Sequence, residues 1–195
     1  MGLGVVAGLA LAMLVFVFRM PPGSLPIDVI FIIVAVITAV ATLEAAGGLD
    51  LLVRVAERML RAKPAAITFV APLVTWLFTF FAGTGHVAYS VLPVIGEVSR
   101  TAGVRPERPM SIAVIASQQA ITAGPISAAT AALVALLAVY DTGYGLADIL
   151  LICVPATLAG VLAGALAMSR YGRRLEDDPV YRDRLARGLV EAAEE

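Results

Sequence analysis

Long apolar runs separated by short polar segments dominate the chain. An α-helix needs about 20 apolar residues to cross the hydrocarbon core of a bilayer, and three runs predict such spans: residues 2–18, 26–46 and 149–168. The first run lacks the basic start and the small-residue exit of a cleaved signal peptide, so we interpret it as a span. Two longer apolar regions, residues 64–95 and 110–139, do not fit a single straight crossing.

Basic residues indicate which loops face the cytoplasm. All of the 14 arginines and lysines except Arg19 lie in residues 50–63, in residues 96–109 or after residue 168. Because Lys and Arg accumulate on the cytoplasmic side of membrane proteins, these three segments are expected to be cytoplasmic. Loop 140–148 carries no basic residue and is expected to be periplasmic.

This orientation predicts two domains and the side of the N-terminus. Residues 1–168 form a membrane domain with Met1 in the cytoplasm, and residues 169–195 form a cytoplasmic linker or tail. Leu51–Ala62 alternates apolar and basic residues at helical spacing, which predicts a short helix lying in the cytoplasmic interface. The alternative is a plain extension of the preceding span, which requires Gly47-Gly48 to stay helical.

Residues 64–95 must leave the cytoplasmic side and return to it. These 32 residues would form roughly 48 Å of helix, less than the roughly 60 Å that two crossings need. The sequence therefore predicts a re-entrant hairpin with its tip at Gly83-Thr84-Gly85-His86. Irregular backbone at that depth is tolerated only where it is buried in protein or lines a wet cavity.

Residues 110–139 show the opposite mismatch, since 30 residues would form roughly 45 Å of helix for one crossing. Gly124-Pro125 can end one half-helix and start another, so the sequence predicts a span broken near the midplane. A hairpin beside a broken helix is typical of the substrate sites of secondary transporters. Polar and breaking residues collect in the middle of the span: Ser117, Gln118, Gln119, Thr122, Gly124, Pro125 and Ser127.

The hairpin tip and the break predict a site for an anion. Thr84 can cap the returning arm of the hairpin, and the half-helix beginning at Pro125 presents a second N-terminus. Helix N-termini carry partial positive charge and free N–H groups, which favour a carboxylate without a buried arginine. The candidate substrate-binding residues are Gly83, Thr84, Gly85, His86, Ser117, Gln118, Thr122, Gly124, Pro125 and Ser127.

Composition agrees with an integral membrane protein. The 195 residues are 60% apolar and 15% charged, with a mean hydropathy of +0.93, whereas soluble domains are nearer 45–50% apolar and about 25% charged. The net charge of −1 and the short basic clusters argue against nucleic-acid binding. A single cysteine, Cys153, excludes a disulfide framework and a thiolate zinc site.

Other functional classes find less support in the sequence. The predicted spans contain no pair of buried carboxylates, no metal-spaced ligand set and no nucleophile–base dyad, so we expect no enzyme, cofactor or metal site. A channel does not need half-helices that break at one depth, and no ring-forming acidic residue is present. Transport of another small anion, a channel-like subunit and a non-transporting membrane fragment stay open as alternatives.

Six short motifs are distributed along nearly the whole chain. They are Phe81-Ala82-Gly83-Thr84-Gly85-His86-Val87, Leu92-Pro93-Val94-Ile95, Arg105-Pro106-Glu107-Arg108-Pro109-Met110, Ile121-Thr122-Ala123-Gly124-Pro125-Ile126-Ser127, Pro26-Ile27-Asp28-Val29 and Ala46-Gly47-Gly48-Leu49-Asp50. Together they resemble the anaerobic C4-dicarboxylate transporter (Dcu) family. The His86 that follows Gly-Thr-Gly is similar to one branch of that family.

The resemblance implies uptake of fumarate, malate or aspartate in exchange for succinate, across a bacterial inner membrane during anaerobic growth. It also implies an all-α integral membrane fold of the ion-transporter superfamily, in which a transport domain moves against a dimeric scaffold. The chain would supply one half of an inverted repeat. Its partners would be the C4-dicarboxylates, the lipid bilayer, and either a second transporter half or a second copy.

Two features depart from the family pattern. Residue 124 is Gly where the family resemblance leads us to expect Ser. Family members carry membrane sequence before the position of Met1 and a second, inverted half beyond the linker, so the chain is expected to be a truncated half-transporter. The tail Leu175–Glu195 resembles the family's linker and carries Asp177-Asp178-Pro179 near its start. It is expected to form a short solvated helix.

Overall fold

The protein is described from a computed structural model that covers residues 2–21, 27–140, 142–171 and 175–190. Within these ranges it is helical and has no strand, as predicted. The helices are α1 (Gly2–Ala12), which continues as a π-helical turn over Met13–Val17, α2 (Ile27–Ala45), α3 (Gly48–Ala62), α4 (Ile67–Ala82), α5 (His86–Thr101), α6 (Glu107–Ala123), α7 (Ala128–Val139), α8 (Leu146–Ser169) and α9 (Pro179–Ala186).

Three helical segments of the described chain are long and apolar enough to cross a membrane: Pro64–Ala82, Glu107–Val139 and Leu146–Ser169. The segment Gly4–Val17 is apolar but shorter. The prediction of a helical membrane protein is confirmed at this level. Met1, Pro26, Asp141 and residues 191–195, which belong to predicted segments, lie outside the described residues.

The returning arm of the hairpin is longer than predicted. It continues through residue 95 to Thr101, because Pro93 and Gly96 are accommodated inside α5 and the first left-handed residue is Gly103, with φ of 65°. Each arm therefore contains 16 residues, about 24 Å of helix. α5 alone stays below the roughly 30 Å of the hydrocarbon core, whereas α4 with the turn before it forms the segment Pro64–Ala82, which is long enough to cross.

Two further helices begin earlier than predicted. α6 begins at Glu107 rather than residue 110, because Pro109 falls in its first turn, where an N–H has no partner within the helix. α8 begins at Leu146 rather than residue 149, because the carboxylate of Asp148 accepts a hydrogen bond from the Gly145 N–H at 2.9 Å. A proline in the first turn thus lengthens α6, and a capping hydrogen bond lengthens α8.

The short helix after the second predicted span is separate, as predicted. Gly47 adopts φ of 77° and divides α2 from α3, which excludes the alternative of one continuous helix. Ala56 and Leu60 of α3 are fully buried. The Arg61 guanidinium of α3 donates to Glu97 of α5 at 3.2 Å, so α3 is held against the hairpin.

Two apolar clusters position the hairpin. The first joins α3, α4, α5 and α6, and the second joins α4, α6 and α8. Small residues on α6 let α4 approach closely, as is common in membrane helix pairs. The buried alanines of α6 are Ala113, Ala116, Ala120 and Ala123.

The tail forms a short helix, as predicted, but it is anchored. Asp178 caps α9 by accepting from the N–H groups of Val180 and Tyr181 at 2.8 and 3.3 Å. The same residue forms a 3.0 Å ion pair with Arg105 in the connection between α5 and α6, and Leu175 is buried. The beginning of the tail therefore packs against the membrane domain.

Candidate functional site

The hairpin tip and the helix break lie against each other. α4 ends at Ala82 and is followed by Gly83, whose φ of 69° is left-handed, and α5 begins at His86. A Cβ atom placed on Gly83 would lie 2.9 Å from the carbonyl oxygen of Ile126 in the break. The structure thus brings together the two segments that the sequence singled out.

Two more glycines complete this contact. A Cβ atom on Gly124 would lie 3.0 Å from the carbonyl oxygen of Phe80, near the end of α4. A Cβ atom on Gly85 would lie 3.2 Å from Nε2 of Gln118 and 3.5 Å from Oγ of Ser117. We call Gly83, Gly85 and Gly124 the glycine contact, because the absence of side chains lets tip, break and α6 meet.

The second half-helix begins later than predicted. α7 begins at Ala128 rather than Pro125, because Ser127 is the better capping residue: its Oγ accepts from the N–H groups of Ala129 and Thr130 at 3.1 and 3.5 Å. The Ser127 N–H donates to the Gly124 carbonyl at 3.2 Å, which closes a turn over the break. The hydroxyl of Ser127 therefore uses up two of the amides that were expected to face an anion.

The predicted Thr84 cap on the returning arm is not formed, because the capping position is Gly85, which has no side chain. The His86 N–H donates to Oγ1 of Thr84 at 3.4 Å, and the residue directly before α5 is Gly85. Thr84 is half-buried and His86 is exposed. The His86 ring lies 6.3 Å from the Tyr89 ring, centroid to centroid.

Four polar side chains at this place face outward rather than into the core. We call Thr84, His86, Gln118 and Thr122 the outward polar set; Thr84 is half-buried and the other three are exposed. The Thr122 hydroxyl donates to the Gln119 carbonyl at 2.7 Å, so it must rotate away from that carbonyl to donate to a carboxylate. No cluster of three or more His, Cys, Asp or Glu side chains within the described ranges is arranged to hold a metal ion.

The hydroxyl of Ser117, a predicted site residue, is committed elsewhere. Ser117 and Thr79 are both fully buried, and their hydroxyl oxygens lie 3.0 Å apart, joining α6 to α4. The Thr79 carbonyl also accepts from the Gly83 N–H at 2.8 Å, at the start of the tip. Thr79 therefore positions the tip, a role that the sequence analysis missed.

A second polar contact fixes α4 against α8. The Trp76 indole N–H donates to Oγ1 of Thr157 at 3.2 Å, and both residues are buried. Trp76 also stacks on Phe80, with ring centroids 5.1 Å apart. The arm that ends at the tip is thus held on two sides by hydrogen bonds inside an apolar environment.

The hydroxyl pair is expected to stabilise the fold only as a pair. Thr79→Val leaves the buried Ser117 hydroxyl without its partner, which costs about 1–3 kcal/mol of unfolding free energy. The double variant Thr79→Val/Ser117→Ala removes both hydroxyls and is expected to recover most of that loss. Unfolding free energies in bicelles give the comparison. Thr38→Val is the control, since Thr38 is exposed and bonds only within its own helix. A double variant that loses the sum of both single losses would contradict the pairing.

Comparison with known proteins gives one consistent result. A family model described as an anaerobic C4-dicarboxylate membrane transporter matches residues 1–195. The C4-dicarboxylate transporter DcuA of Wolinella succinogenes is 47% identical over 188 residues, which cover 96% of this chain and 43% of the relative. DcuA of Escherichia coli K12 is 44% identical over 191 residues, covering 97% and 43%. The anaerobic C4-dicarboxylate transporter DcuB of E. coli O6:H1 is 43% identical over 179 residues, covering 90% and 40%.

The chain spans about two fifths of the length of these curated relatives, since the matched regions cover 40–43% of each relative. No solved structure matches the chain significantly.

Proposed function

Since the chain belongs to the anaerobic C4-dicarboxylate membrane transporter family, we propose that it forms part of a C4-dicarboxylate transporter. In this proposal fumarate, malate or aspartate enters across a bacterial inner membrane in exchange for succinate. The transporter names of the relatives support the substrate class. The observation that carries the site is the close approach of the Gly83 tip to the Ile126 carbonyl.

The proposed site lies beside the glycine contact. Both the tip and the break leave the helical backbone there, and such backbone within a membrane is confined to protein interiors and wet cavities. One carboxylate of the substrate would lie at the N-terminus of α5, where the helix dipole supplies partial positive charge. Thr84 and Gln118 would donate hydrogen bonds, and Thr122 would donate one once its hydroxyl turns from the Gln119 carbonyl. His86 would border the site.

These donors suit a substrate that must also leave. None of the three carries a formal charge, so binding depends on hydrogen bonds and on the helix dipole. Each hydrogen bond to a charged group contributes about 1.5–3 kcal/mol, which permits binding without the trapping expected from a buried arginine pair. The glycine contact would hold the tip and the break in one geometry, so that the donors converge on one carboxylate.

The other carboxylate would bind a counterpart of this half-site. Transporters with inverted repeats place the substrate at the interface between repeats, and the outward polar set leaves one side open here. We assign the counterpart to an inverted second half, with a second copy of this chain as the alternative. The arms of the hairpin would be re-entrant, with the tip at mid-membrane, as in the ion-transporter superfamily.

The threonine hydroxyls give the direct test of the site. The test uses the 195 residues joined to a second transporter half, which we call the full-length protein. In it, Thr84→Ala and Thr122→Ala are each expected to weaken fumarate uptake by about ten- to hundredfold in apparent affinity, because one hydrogen bond to a carboxylate is lost. Uptake of labelled fumarate at varied concentration measures this. Thr142→Ala is the control, because Thr142 lies in the loop before α8 and bonds the Leu137 carbonyl. Normal affinity in both site variants would place the substrate elsewhere.

The proposed orientation puts the α3 side in the cytoplasm and the loop before α8 in the periplasm. A cysteine at the exposed position Tyr144 is expected to react with an impermeant thiol reagent added outside intact cells, whereas one at the exposed position Lys63 is not. A Cys153→Ser background removes the native thiol. Labelling of Lys63→Cys but not of Tyr144→Cys would reverse the orientation.

A further inference from the structure

Helix α3 carries an apolar stripe on a face that no other part of the described chain covers. Leu51, Val55 and Met59 recur every fourth residue and are 56%, 39% and 41% exposed. The stripe is distinct from the buried face of the same helix, where Ala56 and Leu60 contact the hairpin. The helix therefore presents apolar surface in two directions, and only one of them is satisfied by packing.

Two arginines lie directly beside this apolar stripe. At 3.6 residues per turn, Arg54 and Arg58 occupy the arc next to Leu51 and Val55 on the exposed side. Both arginines are exposed, and neither forms an ion pair or hydrogen bond within the described ranges.

Two nearby acidic residues, Glu57 and Glu97, are already engaged, and Asp50, one turn before Arg54, forms no ion pair with it in the described chain. Arg61 donates to Glu57 at 2.9 Å and to Glu97 at 3.2 Å, and these carboxylates raise the pKa of the Arg61 guanidinium above its ordinary value. One arginine thus serves both carboxylates. The positive charges of Arg54 and Arg58 stay available on the outer side of the helix.

A neighbouring element shows which environment the stripe meets. α2, which leads into α3 through Gly47, exposes Phe31, Val34 and Ile37 along an apolar helix. Such a surface belongs in the hydrocarbon core, so the adjoining α3 lies where hydrocarbon gives way to headgroups. An amphipathic helix at that depth buries its apolar stripe in acyl chains and places its basic arc among phosphates.

We propose that α3 binds an anionic phospholipid, with the phosphate between Arg54 and Arg58 and the acyl chains against Leu51, Val55 and Met59. Guanidinium groups bind phosphate oxygens in paired, charge-assisted hydrogen bonds. In a zwitterionic lipid the headgroup's own cation repels the guanidinium groups and weakens this attraction. The site rests on the membrane location of the family and is independent of the proposed dicarboxylate site. A loss of lipid binding would therefore leave the transport proposal intact, and the reverse also holds.

Phosphatidylglycerol titrated into the full-length protein in phosphatidylcholine-containing micelles tests this site, with retained lipid counted by native mass spectrometry. Each basic residue near an anionic lipid surface contributes about fivefold in affinity. Arg54→Gln/Arg58→Gln is thus expected to raise the half-saturating phosphatidylglycerol concentration by about 25-fold. Arg54→Lys/Arg58→Lys keeps both charges and is expected to lose much less.

A matched control and two further arms complete the test. Arg182→Gln/Arg187→Gln removes two exposed arginines from the tail and is expected to leave lipid binding unchanged. Leu51→Ser/Met59→Ser keeps the charges and is expected to weaken binding, because the acyl chains lose their apolar contact. Equal binding of phosphatidylcholine, an unchanged midpoint in the Arg54/Arg58 variant, or full competition by soluble glycerol phosphate would overturn the proposal.

Discussion

Replacing Gly83 by alanine is expected to abolish fumarate uptake by the full-length protein. The new Cβ would lie 2.9 Å from the Ile126 carbonyl oxygen and 3.1 Å from its carbon. Both atoms belong to backbone, so no side-chain rotation can relieve the contact. The tip must then move away from the break, and the donors on the two segments no longer converge on one carboxylate. A misplacement of about 1 Å in such a constellation is enough to cost about a hundredfold.

Gly103 provides a matched control for this change. Its φ of 65° is close to the 69° of Gly83, so alanine at either position pays a similar left-handed backbone cost, about 1–2 kcal/mol. An added Cβ on Gly103 meets no atom within 4 Å. Gly103→Ala is therefore expected to lower the unfolding temperature modestly and to keep uptake near wild type. Equal loss of uptake in both variants would show that backbone strain, rather than the contact with the break, is responsible.

The sequence predicts the tip and the break because glycine and proline interrupt apolar helices at short range. α4 ends directly before Gly83 and α6 ends directly before Gly124-Pro125, as the local sequence pattern predicts. The exact start of α7 depends on competition between two adequate signals. Proline at a first turn and serine as a cap both favour a helix start, and Ser127 prevails because its hydroxyl reaches two amides.

Side-chain pairing between helices is beyond what sequence pattern can supply. Thr75 bonds the Ala71 carbonyl of its own helix at 2.8 Å, as threonines in apolar helices commonly do. Thr79, four residues later on the same face, bonds Ser117 of another helix instead. Only the relative placement of α4 and α6 decides between these two outcomes. Sequence pattern therefore assigns Ser117 to the substrate, whereas its hydroxyl pairs with Thr79.

Helix length is also partly a tertiary property. Gly47, Gly83 and Gly103 end helices with positive φ, whereas Gly96 stays inside α5. A Cβ on Gly96 would lie 3.5 Å from Sδ of Met110, which is an ordinary contact distance. Neither the backbone conformation nor steric crowding therefore requires glycine at position 96. The predicted end of the hairpin at residue 95 rests on the basic residues of segment 96–109 and makes no use of this glycine. The longer arm places Arg100 in the last turn of α5, close to the connection that anchors the tail.

The 195 residues alone, reconstituted in liposomes, are not expected to exchange fumarate for succinate. His86, Gln118 and Thr122 face outward, and an unpaired polar group in lipid costs several kcal/mol. One half-site also leaves the second carboxylate of the substrate without donors. Liposomes loaded with labelled succinate measure the exchange directly, as fumarate-dependent efflux. Adding a second-half polypeptide from a curated relative is expected to restore efflux.

The control in that experiment is the Gly83→Ala form of the same chain with the same second half. It is expected to associate but to give no efflux, because its tip cannot approach the Ile126 carbonyl. Fumarate-dependent efflux from the 195 residues alone would overturn the need for an inverted second half and favour a second copy of this chain as the counterpart. Restored efflux that survives Gly83→Ala would instead move the site away from the glycine contact. The two outcomes separate the need for a second half from the location of the first.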